Sequence, residues 1–152
     1  MSSSNTNWHQ SVTAVCIKNG KVLLARHTYG AGKGRLIIPG GYVENGEFPQ
    51  EAVVREFMEE TNIVIKPKKI IGIRFNLKDW YIAFSADYIS GNAKSDHNEN
   101  SEVLWLPVDE ALSREDVPDL TKKLIECALT DNGFESIDYI GKNPPYCLFG
   151  MK

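Results

Sequence analysis

One stretch, Pro39 to Val64, reading PGGYVENGEFPQEAVVREFMEETNIV, limits what this chain can become more than any other part of it. A Gly-Gly turn leads to Glu44, Glu47 and Glu51, then to Arg55-Glu56 and Glu59-Glu60 among good helix formers. At about 3.6 residues per turn, Glu56, Glu59 and Glu60 stand at roughly 0°, 300° and 40° around the axis, so their carboxylates share an arc of about 100°. Val54, Phe57 and Met58 fall at roughly 100° to 200°, where a core-facing stripe belongs. The spacing predicts a helix that is buried on its apolar side and acidic on the other.

Such an acidic face is unfavourable by itself. Glu56 and Glu60 form a like-charged i, i+4 pair costing about 0.2–0.5 kcal/mol, and Glu59 and Glu60 lie near the negative end of the helix dipole. A divalent cation removes both costs, because Mg²⁺ and Mn²⁺ prefer hard oxygen ligands and combine carboxylates with substrate phosphates. Ala52, at about −40° on the same arc, leaves room for the ion. A solvated acidic face is the plain alternative, and the wider spacing weighs against it.

Gly41, five residues, Glu47, seven residues, then Arg55-Glu56-Phe57-Met58-Glu59-Glu60-Thr61-Asn62-Ile63 closely resembles the signature of the Nudix hydrolases. That signature runs Gly, Glu, Arg-Glu, bulky aliphatic, any residue, Glu-Glu, any residue, Gly, bulky aliphatic. Phe57 departs from it but keeps the burial. Asn62 replaces the glycine after the helix, and Asn is the next-best residue for a left-handed C′ position. Phe48-Pro49 stands where relatives often place a Ser or Thr cap, though Pro remains a proper first helical residue.

The resemblance implies an α+β fold, a Nudix-type α/β/α sandwich with a curved mixed sheet; periodicity alone supports only α+β. It implies a Mg²⁺- or Mn²⁺-dependent pyrophosphohydrolase acting on a nucleoside diphosphate linked to another moiety. Metal would neutralise the phosphoryl charge and activate water. Glu59 and Glu60 would be metal ligands, and Glu56 would complete the site or take the proton from water. The backbone carbonyl of Gly40 would be a further ligand. Glu47 and Arg55 match positions that pair in the family and orient the loop against the helix. An additional acid from a later loop often completes such sites: Glu102, which opens a strand, ranks ahead of Glu99, with Asp96 behind them. His97 reads as a solvated loop histidine. The rival is a Nudix-fold sensor that binds nucleotide without cleaving it; the intact box and lack of an added DNA-binding domain weigh against it. Isoprenoid diphosphate isomerase chemistry would need a cysteine and a glutamate in one pocket, and Cys16 in a strand is a poor fit.

The 152 residues suggest one domain over 8–152 after a disordered start at 1–7. A net charge of −3 argues against a protein that grips nucleic acid by its phosphates. Cys16, Cys127 and Cys147 have no close pairing and apolar company, so they read as buried thiols of a reducing interior. No apolar run reaches about 18 residues and no signal-peptide pattern opens the chain. The expected setting is cytoplasmic, the expected partner a nucleotide-like small molecule, with neither nucleic acid nor membrane; a homodimer is left open.

Asn19-Gly20 between two β-branched runs predicts an opening hairpin. The glycine-rich loop Tyr29 to Arg35 lacks P-loop spacing; it is either a flexible connection or a phosphate holder using Lys33, Arg35 or the upstream Arg26. Strands are expected at Leu36 to Ile38, Lys68 to Leu77, Trp80 to Ser90 and Glu102 to Leu106. Helices are expected from Pro107 to Leu112 and from Asp119 to Thr130. The tail from Asn132 lacks a period, and Pro144-Pro145 excludes a regular helix there. For the substrate, the ADP-ribose subgroup tends to carry a proline where this chain has Asn76 to Lys78. Tyr81, 18 residues past Ile63, matches a tyrosine of the diadenosine polyphosphate subgroup and is a substrate-contact candidate, although its strand is aromatic-rich anyway. Housecleaning of modified nucleoside triphosphates fits equally well.

Overall fold

The computed structural model describes residues 9–152; the stretch 1–7 expected to be disordered lies outside the described residues, as does Trp8. The elements in order are β1 (His9–Lys18), β2 (Lys21–His27), β3 (Leu36–Ile37), β4 (Gly40–Tyr42), α1 (Pro49–Thr61), β5 (Val64–Phe75), β6 (Asp79–Ser90), β7 (Asn100–Pro107), α2 (Val108–Ser113), α3 (Asp119–Leu129), β8 (Phe134–Ser136) and β9 (Phe149–Gly150). The expected hairpin joins β1 to β2, and Asn19 (φ 52°) and Gly20 (φ 75°) take the left-handed conformations a tight two-residue turn needs.

β1 is the hub. Its first half pairs with β4, its last residues with β2, and most of its length runs parallel to β6. The main strand order is β3-β2-β1-β6-β5-β8-β9, with β7 added to β2. Every pairing except β1–β6 is antiparallel, so the sheet is mixed as expected. Alternation sends Val12, Ala14, Cys16 and Leu23 to the α1 side, where they meet Val53 and Phe57. Val15, Val22 and Leu24 go to the other face, against Ala111 of α2 and Leu124 and Ile125 of α3. Helices on both faces of one sheet make the α/β/α sandwich. No helix among the described residues is long and apolar enough to cross a membrane.

Several expectations change. β5 begins at Val64 rather than Lys68, and Pro67 is accommodated because the ladder shifts register between Pro67 and Lys69. The tail contributes two edge strands too short to show a period, and Phe149 packs edge-on against Phe84 (centroids 5.6 Å apart). Of the cysteines, only Cys16 is buried, and burial pushes its thiol up to about 12; Cys127 is half-buried and Cys147 exposed.

Candidate active site

Helix α1 starts at Pro49, and Glu51 reaches back to accept the Phe48 N–H at 2.8 Å. It ends on Asn62 in the left-handed conformation (φ 63°), the role expected of an Asn replacing glycine. Between these ends the predicted faces need correction. The buried residues are Ala52, Val53, Glu56, Phe57, Glu60 and Thr61, whereas Met58 is 43% exposed. Glu56 and Glu60 therefore belong to the buried side, because β4 and the loop before β7 cover the arc that the sequence set apart as the acidic face.

The Gly40-Gly41 pair explains how two carboxylates fit there. A Cβ at Gly41 would lie 2.4 Å from the Glu56 carboxyl carbon, and one at Gly40 would lie 2.0 Å from the Val12 carbonyl oxygen. Only glycines let β4 sit between β1 and the helix. The Gly40 N–H donates to Glu60 Oε2 at 3.0 Å.

Arg55 is the organiser on the open side. Its Nε and Nη2 form a two-pronged pair with Glu47 at 2.7 and 3.0 Å. Nη1 donates to Glu56 at 3.0 Å and to Glu59 at 3.2 Å, and Nη2 also donates to the Tyr42 carbonyl. The Glu47–Arg55 pair expected from the resemblance is thus formed and ties the loop 42–47 to α1. Glu59, with a side chain 57% exposed, lies against Arg55 instead of pointing at Glu60.

Glu56, Glu60 and Glu99 each offer an oxygen, and these lie within 4.8 Å of one another. Burial pushes Glu60 up to about 9, helped by a hydrogen bond shared with Glu99 and the charge of Glu56, and opposed by the Gly40 N–H. Burial also raises Glu56, while Arg55 pulls it back. Three converging hard oxygen donors at the end of a short glycine strand fit a small dication such as Mg²⁺ or Mn²⁺, whose charge would offset that of the clustered carboxylates.

Of the two later acids, it is Glu99 and not the higher-ranked Glu102 that the structure brings to the carboxylate cluster. Glu102 sits opposite Arg26 in the β2–β7 ladder and pairs with it at 3.0 Å, away from the carboxylate cluster. The ladder slips between Arg26 and His27, skipping Ser101, and this bulge brings Glu99 to the cluster. Asp96 instead accepts the backbone N–H groups of Asn98 and Asn100 and shapes the loop. His97 is exposed, as expected.

Beside the cluster lies a cavity of about 440 Å³ whose lining includes Gly40, Gly41, Tyr29, Tyr42, Tyr81 and Arg74. Of the four substrate candidates only Tyr81 lines it, and burial holds its phenol up to about 12. Arg26 is occupied by Glu102, Asp116 and the Gly34 carbonyl, and Arg35 donates to the Glu115 carbonyl at 3.0 Å. Both therefore fasten the glycine-rich loop. Lys33 is exposed and outside the cavity lining. Sequence reasoning missed Tyr29 and Tyr42, which are 54% and 62% exposed at the cavity and are backed by His27 and His9 rings. Their places beside the glycine-rich loop and the Gly-Gly pair were the available signal.

A profile of the NUDIX domain family matches residues 7–126, and the chain belongs to that family. It is 31% identical over 120 residues to an NAD-capped RNA hydrolase NudC of Vibrio cholerae, covering 75% of this chain and 43% of that protein. It is 41% identical over 63 residues to an ADP-ribose pyrophosphatase of Methanocaldococcus jannaschii, covering 41% of this chain and 37% of that protein. The chain thus aligns with less than half the length of these curated relatives. Among solved structures, a NUDIX hydrolase from Nitrosomonas europaea superposes with a TM-score of 0.75 at 24% identity, covering 85% of this chain and 93% of that one.

Proposed function

We propose that this chain is a Mg²⁺- or Mn²⁺-dependent pyrophosphohydrolase acting on a nucleoside diphosphate linked to another moiety. The observation that carries the reading is the convergence of Glu56, Glu60 and Glu99 beside a cavity walled by Tyr29, Tyr42 and Tyr81. A dication bound by these carboxylates would neutralise the pyrophosphate oxygens and activate water. Glu56 and Glu60 would hold it from the buried side, with the Gly40 carbonyl as a further ligand. Glu59, one turn from Glu56 and kept by Arg55, would hold a second ion or the substrate-side charge. Glu56 would otherwise serve as the acceptor of the water's proton, its carboxylate kept ready by Arg55. Arg55 and Glu47 act by fixing the loop and helix. The open tyrosine rings offer flat surfaces on which a base can stack.

The names of the relatives support a nucleotide-linked substrate: ADP-ribose for one, NAD-capped RNA for another. Within this reading the substrate is a free small molecule and the setting cytoplasmic. A capped RNA is the rival substrate, and a second copy of the chain remains a partner to be tested by mass measurement.

The test is a turnover screen with the cleavage products resolved by ion-exchange chromatography, over nucleoside diphosphate sugars, dinucleotides, nucleoside triphosphates and an NAD-capped RNA, with Mg²⁺ and with Mn²⁺, comparing wild type with Glu56→Gln and Glu59→Gln. Turnover of at least one substrate that collapses in Glu56→Gln is expected. Tight nucleotide binding with no turnover would make the protein a sensor instead.

A further inference from the structure

Glu99 lies on a loop, yet one of its carboxylate oxygens comes within 4.8 Å of those of Glu56 and Glu60 on the helix. Asn100, only 1% exposed, supplies the means. Its Nδ2 donates to the Glu60 carbonyl at 2.9 Å, and its Oδ1 accepts from Ser95 Oγ at 2.6 Å. Its own backbone N–H donates to Asp96 Oδ1 at 3.0 Å. The Glu60 carbonyl belongs to the last turn of α1, where carbonyls lack a partner within the helix. An amide is the side chain that can donate to that carbonyl and accept from a hydroxyl at once. On the other side, the Thr28 N–H and hydroxyl hold the Glu99 and Asn98 carbonyls at 3.1 and 2.6 Å. The skipped Ser101 completes the arrangement, since one inserted residue reverses which way the preceding side chains face.

We propose that Asn100 is the positioning residue for Glu99. It fastens the loop 95–100 to the very residue whose side chain Glu99 faces, so the separation between the two carboxylates is set through Asn100 and not by the flexibility of the loop. This rests on the metal reading above. A structural asparagine whose loss merely loosened the protein would weaken metal binding whether or not Glu99 kept its carboxylate. A positioning asparagine acts only through Glu99.

The test is Mn²⁺ titration of the full chain, followed by electron paramagnetic resonance of free ion and by calorimetry. The proteins are wild type, Asn100→Asp, Ser95→Ala, Glu99→Gln and the two doubles carrying Glu99→Gln. Asn100→Asp is expected to weaken Mn²⁺ binding about tenfold and Ser95→Ala a few-fold. In the Glu99→Gln background neither is expected to weaken it further. Losses that multiply in the doubles, or wild-type affinity in Asn100→Asp, would overturn the assignment. If Asn100→Asp does not fold, Ser95→Ala, which leaves the asparagine in place, carries the same comparison. A wild type that binds no Mn²⁺ would defeat the metal reading and this inference with it; multiplying losses in a wild type that binds would defeat only the role given to Asn100.

Discussion

Two clusters of charge stand on this sheet, and they differ in balance. Around Arg26, two guanidiniums (Arg26 and Arg114) meet Glu102 and Asp116 at 2.8 to 3.2 Å, two charges of each sign, with Glu110 at the exposed rim 4.0 Å from Arg114. Around Arg55, one guanidinium faces Glu47, Glu56 and Glu59, with exposed Glu44 at 3.8 Å, while Glu60 and Glu99 stand behind with no ion pair among the described residues. The first cluster is complete and holds the glycine-rich loop in place. The second is short of positive charge, and burial beside Glu56 and Glu99 pushes the Glu60 carboxyl up to about 9. A balanced network is finished structure; an unbalanced one at a cavity is a place for a cation.

The largest effect that would break the comparison is expected from Glu56→Gln, which is expected to lower turnover by about 10²–10⁴-fold in steady-state assays, the range for losing a proton acceptor or metal carboxylate. A near-normal rate would remove Glu56 from the chemistry. Arg55→Lys keeps the charge but cannot span Glu47, Glu56 and Glu59 at once, so Mn²⁺ affinity is expected to fall by about 10–100-fold by calorimetry.

Opposite pH signs should follow from the two clusters. Glu60 is raised from 4.5 to about 9, so the metal-free fold binds a proton that the unfolded chain releases between those values. Its contribution to stability is full below about pH 4.5 and is lost as pH rises toward 9. Thermal melts without metal should show this decline, and Glu60→Gln should flatten it. Asp116 is held below its ordinary 3.8, chiefly by the Arg114 hydrogen bond, so its contribution is present above that value and lost as pH falls. Asp116→Asn should flatten the acid limb alone. The smallest effect belongs to Glu102→Gln: its pair with Arg26 is half exposed, so stability should change by less than about 1 kcal/mol and Mn²⁺ affinity not at all. A loss of affinity there would reinstate Glu102 at the metal.

The legible and illegible parts of the molecule divide along a physical line. Glu56, Glu59 and Glu60 could be grouped because they sit at offsets a helix enforces, and Gly41, Glu47, Arg55 and Asn62 could be read through their match to the Nudix signature. Glu99 could not be ranked correctly, because the choice between it and Glu102 depends on one skipped residue in a ladder whose other strand is more than seventy positions away. The same holds for the helix face: position on the wheel located Glu60, but only the docking of β4 made that side the inside. Tyr29 and Tyr42 escaped because an aromatic ring in a loop or at the end of a three-residue strand carries no spacing, and β8 and β9 because 3 and 2 residues carry no period.

The contact between Gly41 and Glu56 has a consequence for anyone who varies this protein. The carboxyl of Glu56 occupies the volume that any side chain at position 41 would need. A library at 41 would therefore be scored as a library of catalytic defects, though the residue carries no reactive group. Its readout would be the displacement of an acid fifteen positions along the chain. Tolerance there would have to come from α1 backing away, and the size of residue accepted would be a ruler for how far that helix can retreat before the site fails.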